Sequence, residues 1–484
     1  MKNAYRNRPL IALLAGLIGA LAGCQVTPPD VPADIARATG IDNAIVFRAD
    51  PAALETGPVD GTLTPAQAIR MALAHDPRIQ ADLARVRAAE AESDQARLLA
   101  NPILNIDLRF PHAAGSNTAF EATLTGDLVA LLQKPAQIQA ADRRLRASAA
   151  DALTTALDVM SEIQQAYVAA QSVEAQIDSA QNRGKIFQQL RDLAKRRLDL
   201  GEGTRLDVLT LDAQIMDAQL ELSDLKLTRF EDRLNLAKLI GQPRSPGEWP
   251  LAAWEPPPAA DPAPEAAWID AALRTRPEIH SKLWELQALG DDLTAAEFSP
   301  FVGGEVGPHF ERDPEWRTGP TLTIPVPIFD FGQATRAKLE ADRLAARHEL
   351  AGLQADVIQD VRLSYATYLN TRQALVDARD KLLPLHQQQL ALARLAYQSG
   401  ETDLATLLLA ETDLQETVLK IVDLQEKVTV ARIKLQRAAG GAVVADGLEA
   451  ATRPETPPAA APQTPATPPA TTPTPRPAGT GTAQ

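Results

Sequence analysis

Ala72-Leu73-Ala74-His75-Asp76-Pro77-Arg78-Ile79 and Ala272-Leu273-Arg274-Thr275-Arg276-Pro277-Glu278-Ile279 are one stretch written twice. The match continues outward at an offset of roughly 198 to 200 residues. Asn101-Pro102-Ile103 stands against Ser299-Pro300-Phe301, and Thr123-Leu124-Thr125 against Thr321-Leu322-Thr323. Tyr167 falls opposite Tyr365, Gly201 opposite Gly400 and Gly241 opposite Gly440. Scattered coincidence would not hold one offset over that distance, so both halves carry one structural plan.

Each half opens on a helix. Thr64-Pro65-Ala66-Gln67 supplies a cap, a proline at the first helical position and the glutamine of a capping box. The helix is predicted to run to about Leu99 with a break near Pro77, and its partner from about Glu265 to Glu297. Two strands follow in each half. Leu104, Ile106, Leu108 and Phe110 alternate with Asn105, Asp107 and Arg109, and Phe120, Ala122, Leu124 and Leu128 with Glu121, Thr123, Thr125 and Asp127. Val306 and Phe310 alternate with Glu305 and His309, and Trp316, Leu322, Ile324, Val326 and Ile328 share one parity. Period-two alternation over about ten residues is what a membrane-crossing strand needs, with one face to lipid and one to water.

Very long helices are predicted next, over about Lys134–Leu200 and Gln333–Ser399, each turning back at a glycine-containing tip. The return helices carry heptads. Leu407, Leu414, Ile421, Val428 and Leu435 recur with Ala410, Thr417, Leu424, Ala431 and Ala438 three residues on. Val208, Ile215 and Leu222 do the same with Leu211, Ala218 and Leu225. Sustained sevens with small residues on one seam imply closely packed, supercoiled helices.

The ends and joints read differently. Lys2, Arg6 and Arg8 precede an apolar run and Leu21-Ala22-Gly23-Cys24, the order of a secretory signal with a lipobox-like ending. The expected products are a signal peptide, 1–23, and a lipid-anchored, mostly irregular segment, 24–61, with Cys24 carrying the lipid. Gln25 in place of an aspartate points to the outer membrane. The first repeat is then 62–241, a Pro-rich linker 242–264, the second repeat 265–441, and a disordered Pro/Thr/Ala-rich tail 442–484. Cys24 is the sole cysteine, so no intrachain disulfide forms. A net charge of −14 argues against nucleic-acid partners, and the acidic balance favours a wall that passes cations. Beyond the signal no run of about 20 apolar residues occurs, so a membrane crossing must use strands.

Four strands cannot close a barrel, and an open edge cannot sit in lipid, so several chains must pool their strands. Three copies give twelve. The duplicated plan, the Pro327-Ile328-Phe329-Asp330-Phe331-Gly332 run and the two glycine-containing tips resemble the TolC-like outer-membrane efflux family over about residues 62–441. That resemblance implies a mainly α fold with a small transmembrane β part. It implies a homotrimer whose 12-stranded β-barrel lies in line with a helical tunnel, meeting a periplasmic adaptor and an inner-membrane transporter. It places the tips at the periplasmic entrance, with Arg197, Leu198, Gly201, Thr204, Tyr397 and Gly400 facing the adaptor. A gate aspartate six residues after the first tip glycine falls on Asp207; the matching place in the second half is Thr406, leaving Glu401 and Asp403 as the other acidic candidates.

Motifs for phosphate binding, a nucleophile elbow or a zincin are absent, and the six histidines are scattered, so no enzyme, cofactor or metal site is read from the sequence. The rival reading is a periplasmic lipid-anchored coiled-coil adaptor or scaffold without a pore, which expects one helical hairpin flanked by small β domains.

Overall fold

A computed structural model describes residues 29–41, 45–50, 59, 61–110, 118–254, 262–312 and 315–452. Cys24 and the signal segment lie outside the described residues. Both repeats follow the plan read from the sequence. Repeat 1 contains α2 (Pro65–His75), α3 (Pro77–Arg97), β1 (Ile103–Arg109), β2 (Ala119–Asp127), α4 (Leu128–Asp199) and α5 (Arg205–Leu239), after a short α1 (Val31–Thr39). Repeat 2 contains α6 (Glu265–Thr275), α7 (Pro277–Ala296), β3 (Glu305–Arg312), β4 (Trp316–Thr323), α8 (Gln333–Asp377), α9 (Leu383–Ser399) and α10 (Leu404–Ala438), and α11 (Ala442–Thr452) follows.

The capping box forms as read: Thr64 Oγ1 accepts from the Gln67 N–H, and the Thr64 N–H donates to Gln67 Oε1 at 2.9 Å. Pro77 and Pro277 each start a new helix, because a proline in mid-helix would lose a hydrogen bond and clash with the preceding turn. α4 is 72 residues long, roughly 108 Å at the α-helical rise.

Four expectations need correction. α4 begins at Leu128 rather than Lys134, because Asp127 ends β2 and caps the helix directly, accepting from the Ala130 N–H at 2.8 Å. The stretch 333–399 is not one α-helix: a π-helical turn, Ala378–Leu382, separates α8 from α9 just before Pro384. The wider turn accommodates a residue that cannot donate to the helical ladder. β4 stops at Thr323, since Pro325 and Pro327 cannot pair. Order also extends beyond the repeats at both ends. α1 is capped by Asp30 and closed by Gly40 at φ 67, and α11 occupies the start of the expected tail. Both helices fold because Ile35 and Ala445 find apolar cover; both are wholly buried.

The strands form one antiparallel sheet in the order β1-β2-β3-β4. Ile106 pairs with Ala122, which pairs with Phe310, and Leu108 with Phe120. These residues, with Leu104, Leu124, Val306 and Leu322, make one apolar face. Asn105, Asp107, Glu121, Thr123, Thr125, Glu305, His309 and Thr321 make the other. Phe120 and Trp316 meet edge to face at 6.1 Å between ring centroids on the apolar side.

The helices pack side by side as a layer. α4 packs against α3, α5, α7 and α10, while α8 packs against α6, α7 and α10. Among the described residues, α5 and α8–α9 are therefore the edges of the layer, as β1 and β4 are of the sheet. Two cores sit where first helices cross long ones, one around Leu73, Ile79, Ile163 and Tyr167 and one around Trp268, Ile279, Val361 and Leu435. A third, around Leu211, Leu390, Tyr397 and Leu407, closes the tips.

Candidate channel wall and tunnel end

The sheet positions a polar surface beside an apolar one. On the polar face Arg109 Nη2 donates to Glu121 Oε2 at 2.7 Å and Thr125 Oγ1 to Glu305 Oε2 at 2.9 Å. His309 Nδ1 lies 3.2 Å from Thr123 Oγ1. On the apolar face Leu104, Ile106, Leu108, Trp316 and Leu322 are each more than half exposed. A row of large apolar side chains opposite a carboxylate-rich row suits a wall between lipid and water.

At the far end of the helices the two tips are built alike and capped oppositely. Gly201 and Gly400 both adopt φ 77, a left-handed conformation that ends each descending helix. In the first tip the Glu202 and Gly203 N–H groups donate to the Arg197 carbonyl, at 2.8 and 3.1 Å, and the Gly201 N–H to that of Leu198 at 3.0 Å. A Cβ on Gly203 would stand 2.9 Å from the Leu198 nitrogen, so the loop closes only around glycine there. Thr204 then caps α5: its hydroxyl accepts from the Asp207 N–H at 3.2 Å and its own N–H donates to Asp207 Oδ2 at 3.0 Å.

In the second tip Glu401 N–H donates to the Ala396 carbonyl at 2.9 Å, and the cap is Asp403. Thr406 donates to Asp403 Oδ1 twice, from its N–H at 3.0 Å and from its hydroxyl at 2.8 Å. Those two bonds hold the Asp403 carboxyl below the usual carboxylate range. The ionised cap is thus favoured above that range, and the preference is lost as pH falls through the lowered value. Thr204/Asp207 and Asp403/Thr406 are the same two residue types exchanged between cap and third helical position. Thr406, which breaks the sequence pattern, is the partner of a cap whose acid has moved three residues earlier. Each tip retains a carboxylate.

The tips are joined to each other. The Arg197 guanidinium stacks over the Tyr397 ring, 4.7 Å from its centroid, and Nη1 donates to the Tyr397 carbonyl at 3.3 Å. Tyr397 is itself buried in the tip core. A cleft lined by Leu193, Arg197, Glu202, Tyr397 and Gly400 lies between the hairpins. The sequence marked Arg197 and Tyr397 separately; nothing local in it joins residues 200 positions apart. It also missed Glu411, which is 1% exposed and held by Arg394 Nη2 at 2.9 Å and Gln415 Nε2 at 3.1 Å. An acidic residue within the heptads of α10 is the signal that could have found it.

A sheet with one apolar and one polar face, carried on helical hairpins about 100 Å long, defines the fold of a TolC-like outer-membrane tube subunit. The chain belongs to the outer membrane efflux protein family, whose model matches residues 68–242 and 268–441, one match in each repeat. It is 28% identical over 230 residues to the fusaric acid resistance protein FusA of Burkholderia cepacia; that likeness spans 43% of this chain and 42% of FusA. Its fold resembles that of a membrane protein from Pseudomonas aeruginosa, with 20% identity, a TM-score of 0.64, and coverage of 86% of this chain and 99% of that one. It also resembles the open state of the MtrE outer membrane channel of Neisseria gonorrhoeae, with 17% identity, a TM-score of 0.60, and coverage of 86% and 97%.

Proposed function

We propose that three copies of this chain close into the exit duct of a tripartite export pump, a passive passage for small molecules across the periplasm and outer membrane. One observation carries the reading: an amphipathic four-stranded sheet continues into a helical layer, and both end in apolar free edges. Along α5, Leu206, Leu209, Met216, Leu220, Leu227 and Phe230 are each more than half exposed, at heptad spacing. Along α8–α9, Leu344, Leu363, Leu385, Leu392 and Leu395 are exposed to the same degree. Neither edge is stable bare, and twelve pooled strands would leave no edge in lipid. The adaptor reading is disfavoured by the two hairpins and the single continuous sheet.

In this reading the polar face lines the lumen and the tips meet the periplasmic adaptor, with an inner-membrane transporter supplying the energy. Small organic molecules fit the likeness to a fusaric acid resistance protein. The chain purified from outer-membrane fractions is expected to run as a heat-modifiable trimer and to conduct ions in planar bilayers. Reversal potentials are expected to show cation preference, since Asp107, Glu121, Glu305 and Glu311 outnumber Arg109 and Arg317 on the lumen face. A soluble monomer without conductance would overturn the reading.

The lipid anchor rests on Leu21-Ala22-Gly23-Cys24. Cys24→Ala is expected to abolish incorporation of radiolabelled palmitate, and undiminished labelling would remove the anchor from Cys24.

A further inference from the structure

The polar face of the sheet is laid out in rows that run across the strands, and one row has a single ionisable member. Asp107 pairs with Glu121, Glu121 with Glu311 and Glu311 with Arg317, so three carboxylates stand side by side and a guanidinium closes the row. Like charges directly opposite one another repel. The next row toward the helices is Asn105, Thr123, His309 and Gly319. The row nearest the helices holds Asp127, Glu305 and Thr323, and there the Asp127 carboxyl is engaged as the cap of α4. Among the described residues His309 is the one histidine in the four strands.

The strands on either side decide what the imidazole meets. Nδ1 lies 3.2 Å from Thr123 Oγ1 and 3.8 Å from Glu121 Oε1, both on β2. Glu121 in turn accepts from Arg109 of β1 at 2.7 Å. Opposite His309 on β4 is Gly319, where an added Cβ would meet nothing within 4 Å, with Arg317 two residues away. Along β3 the same face carries Gly307 on one side and Glu311 on the other, and Glu305 beyond Gly307 accepts from Thr125. Gly307 admits no side chain, because a Cβ there would fall on the Leu124 carbonyl. Glycines beside and opposite the ring leave it uncovered, and its side chain is 30% exposed. It borders a hollow in the polar face that Asp107, Glu121 and Glu305 also line.

We infer that His309 sets how strongly the duct prefers cations, as the member of the lumen wall whose charge depends on pH. The inference rests on the channel reading above, in which this face lines the lumen. Histidine is the side chain that changes charge between about pH 5 and 8. With His309 neutral, the four carboxylates of Asp107, Glu121, Glu305 and Glu311 face the two guanidiniums of Arg109 and Arg317. One imidazolium halves that excess in each subunit's sheet. Three subunits place three such rings at one height in the barrel. The charge on the wall of a water-filled passage sets the local ratio of permeant cations to anions.

The test uses the full-length protein in planar bilayers across a potassium chloride gradient, with reversal potentials read from about pH 8 to about pH 5.5. The parent is expected to lose roughly half of its cation-to-anion permeability ratio over that window, following the halved excess of charge. His309→Gln keeps a polar group facing Thr123 and is expected to hold the parent's alkaline ratio throughout. His309→Lys is expected to show the parent's acidic ratio throughout. Heat-modifiable trimer bands establish that each variant has assembled. A conducting parent whose ratio does not change with pH overturns the role of His309 and leaves the channel reading standing. So does a His309→Gln protein that titrates like the parent. A parent without conductance overturns the channel reading and this inference with it.

Discussion

Tyr397→Ala is expected to leave the channel assembled but open at its periplasmic end, raising the passive conductance of the reconstituted protein above that of the parent. The ring is 5% exposed and packs with Leu211, Leu390, Leu404 and Leu407 in the core that closes the tips. Removing a buried aromatic costs about 3–5 kcal/mol where the site cannot collapse. The same change takes away the platform under the Arg197 guanidinium, worth about 1 kcal/mol more, and with it one of the tethers between the hairpins. Tyr397→Phe keeps the ring and is expected to conduct like the parent. Charge reversal at Asp207 is expected to raise conductance too, with a smaller stability loss of about 1 kcal/mol from the broken cap. Asp207→Asn separates the causes, since it removes charge and keeps an oxygen for the Thr204 N–H. Unchanged conductance on reversal would take Asp207 out of the gate, and unchanged conductance in Tyr397→Ala would show that the tip core does not hold it shut.

The other large effect is expected at the opposite end of α10. Arg437 Nη2 donates to Glu278 Oε1 at 2.6 Å while Nε holds Asp158, and the two side chains are 13% and 20% exposed. Arg276 adds a longer bond to Glu278 and reaches Asp360 at 3.3 Å. Arg437→Met should therefore lower stability by about 3 kcal/mol, the lower end for breaking a buried pair, because Arg276 still faces the stranded carboxylate. Glu278→Gln in the same chain should recover much of the loss, read from the urea midpoint of the helical circular dichroism signal. The pH dependence has a definite sign. Burial alone would lift the Glu278 carboxyl, but the charges of Arg437 and Arg276 outweigh it and hold the group below its ordinary value. The ion-pair contribution is thus complete above the ordinary glutamate range and is lost as pH falls through the lowered value. The gap between parent and Arg437→Met should therefore close as the solution is made acidic. A gap that widened in acid would show that the pair is not the cause.

This cluster also shows how far the sequence could be read. Asp76, Arg78 and Glu162 link helix start to long helix in repeat 1, with Arg78 bonding both acids. In repeat 2 the corresponding Arg276, Glu278 and Asp360 perform that task with the first two signs inverted. A comparison by residue type sees two mismatches there, and Arg437, 159 residues from Glu278, has no local reason to be included. The tips repeat the lesson: Thr406 looks like the loss of an acid until the cap geometry shows Asp403 in the exchanged role.

Local sequence encodes the duplication, the two-faced strands, the break at Pro77, the glycine turns at Gly201 and Gly400 and the heptads of the return helices. Each of these is encoded within a few residues, by backbone preference or by the period of burial. The new helix start at Pro277 emerged only in the fold. Long-range packing set the order of the helical layer, the π-helical turn before Pro384, the docking of α1 and α11, and the pairing of Arg197 with Tyr397 and of Arg437 with Asp158 and Glu278. Those depend on the register in which helices roughly 100 Å long lie side by side. A one-turn slip would preserve every local pattern and replace every long-range partner.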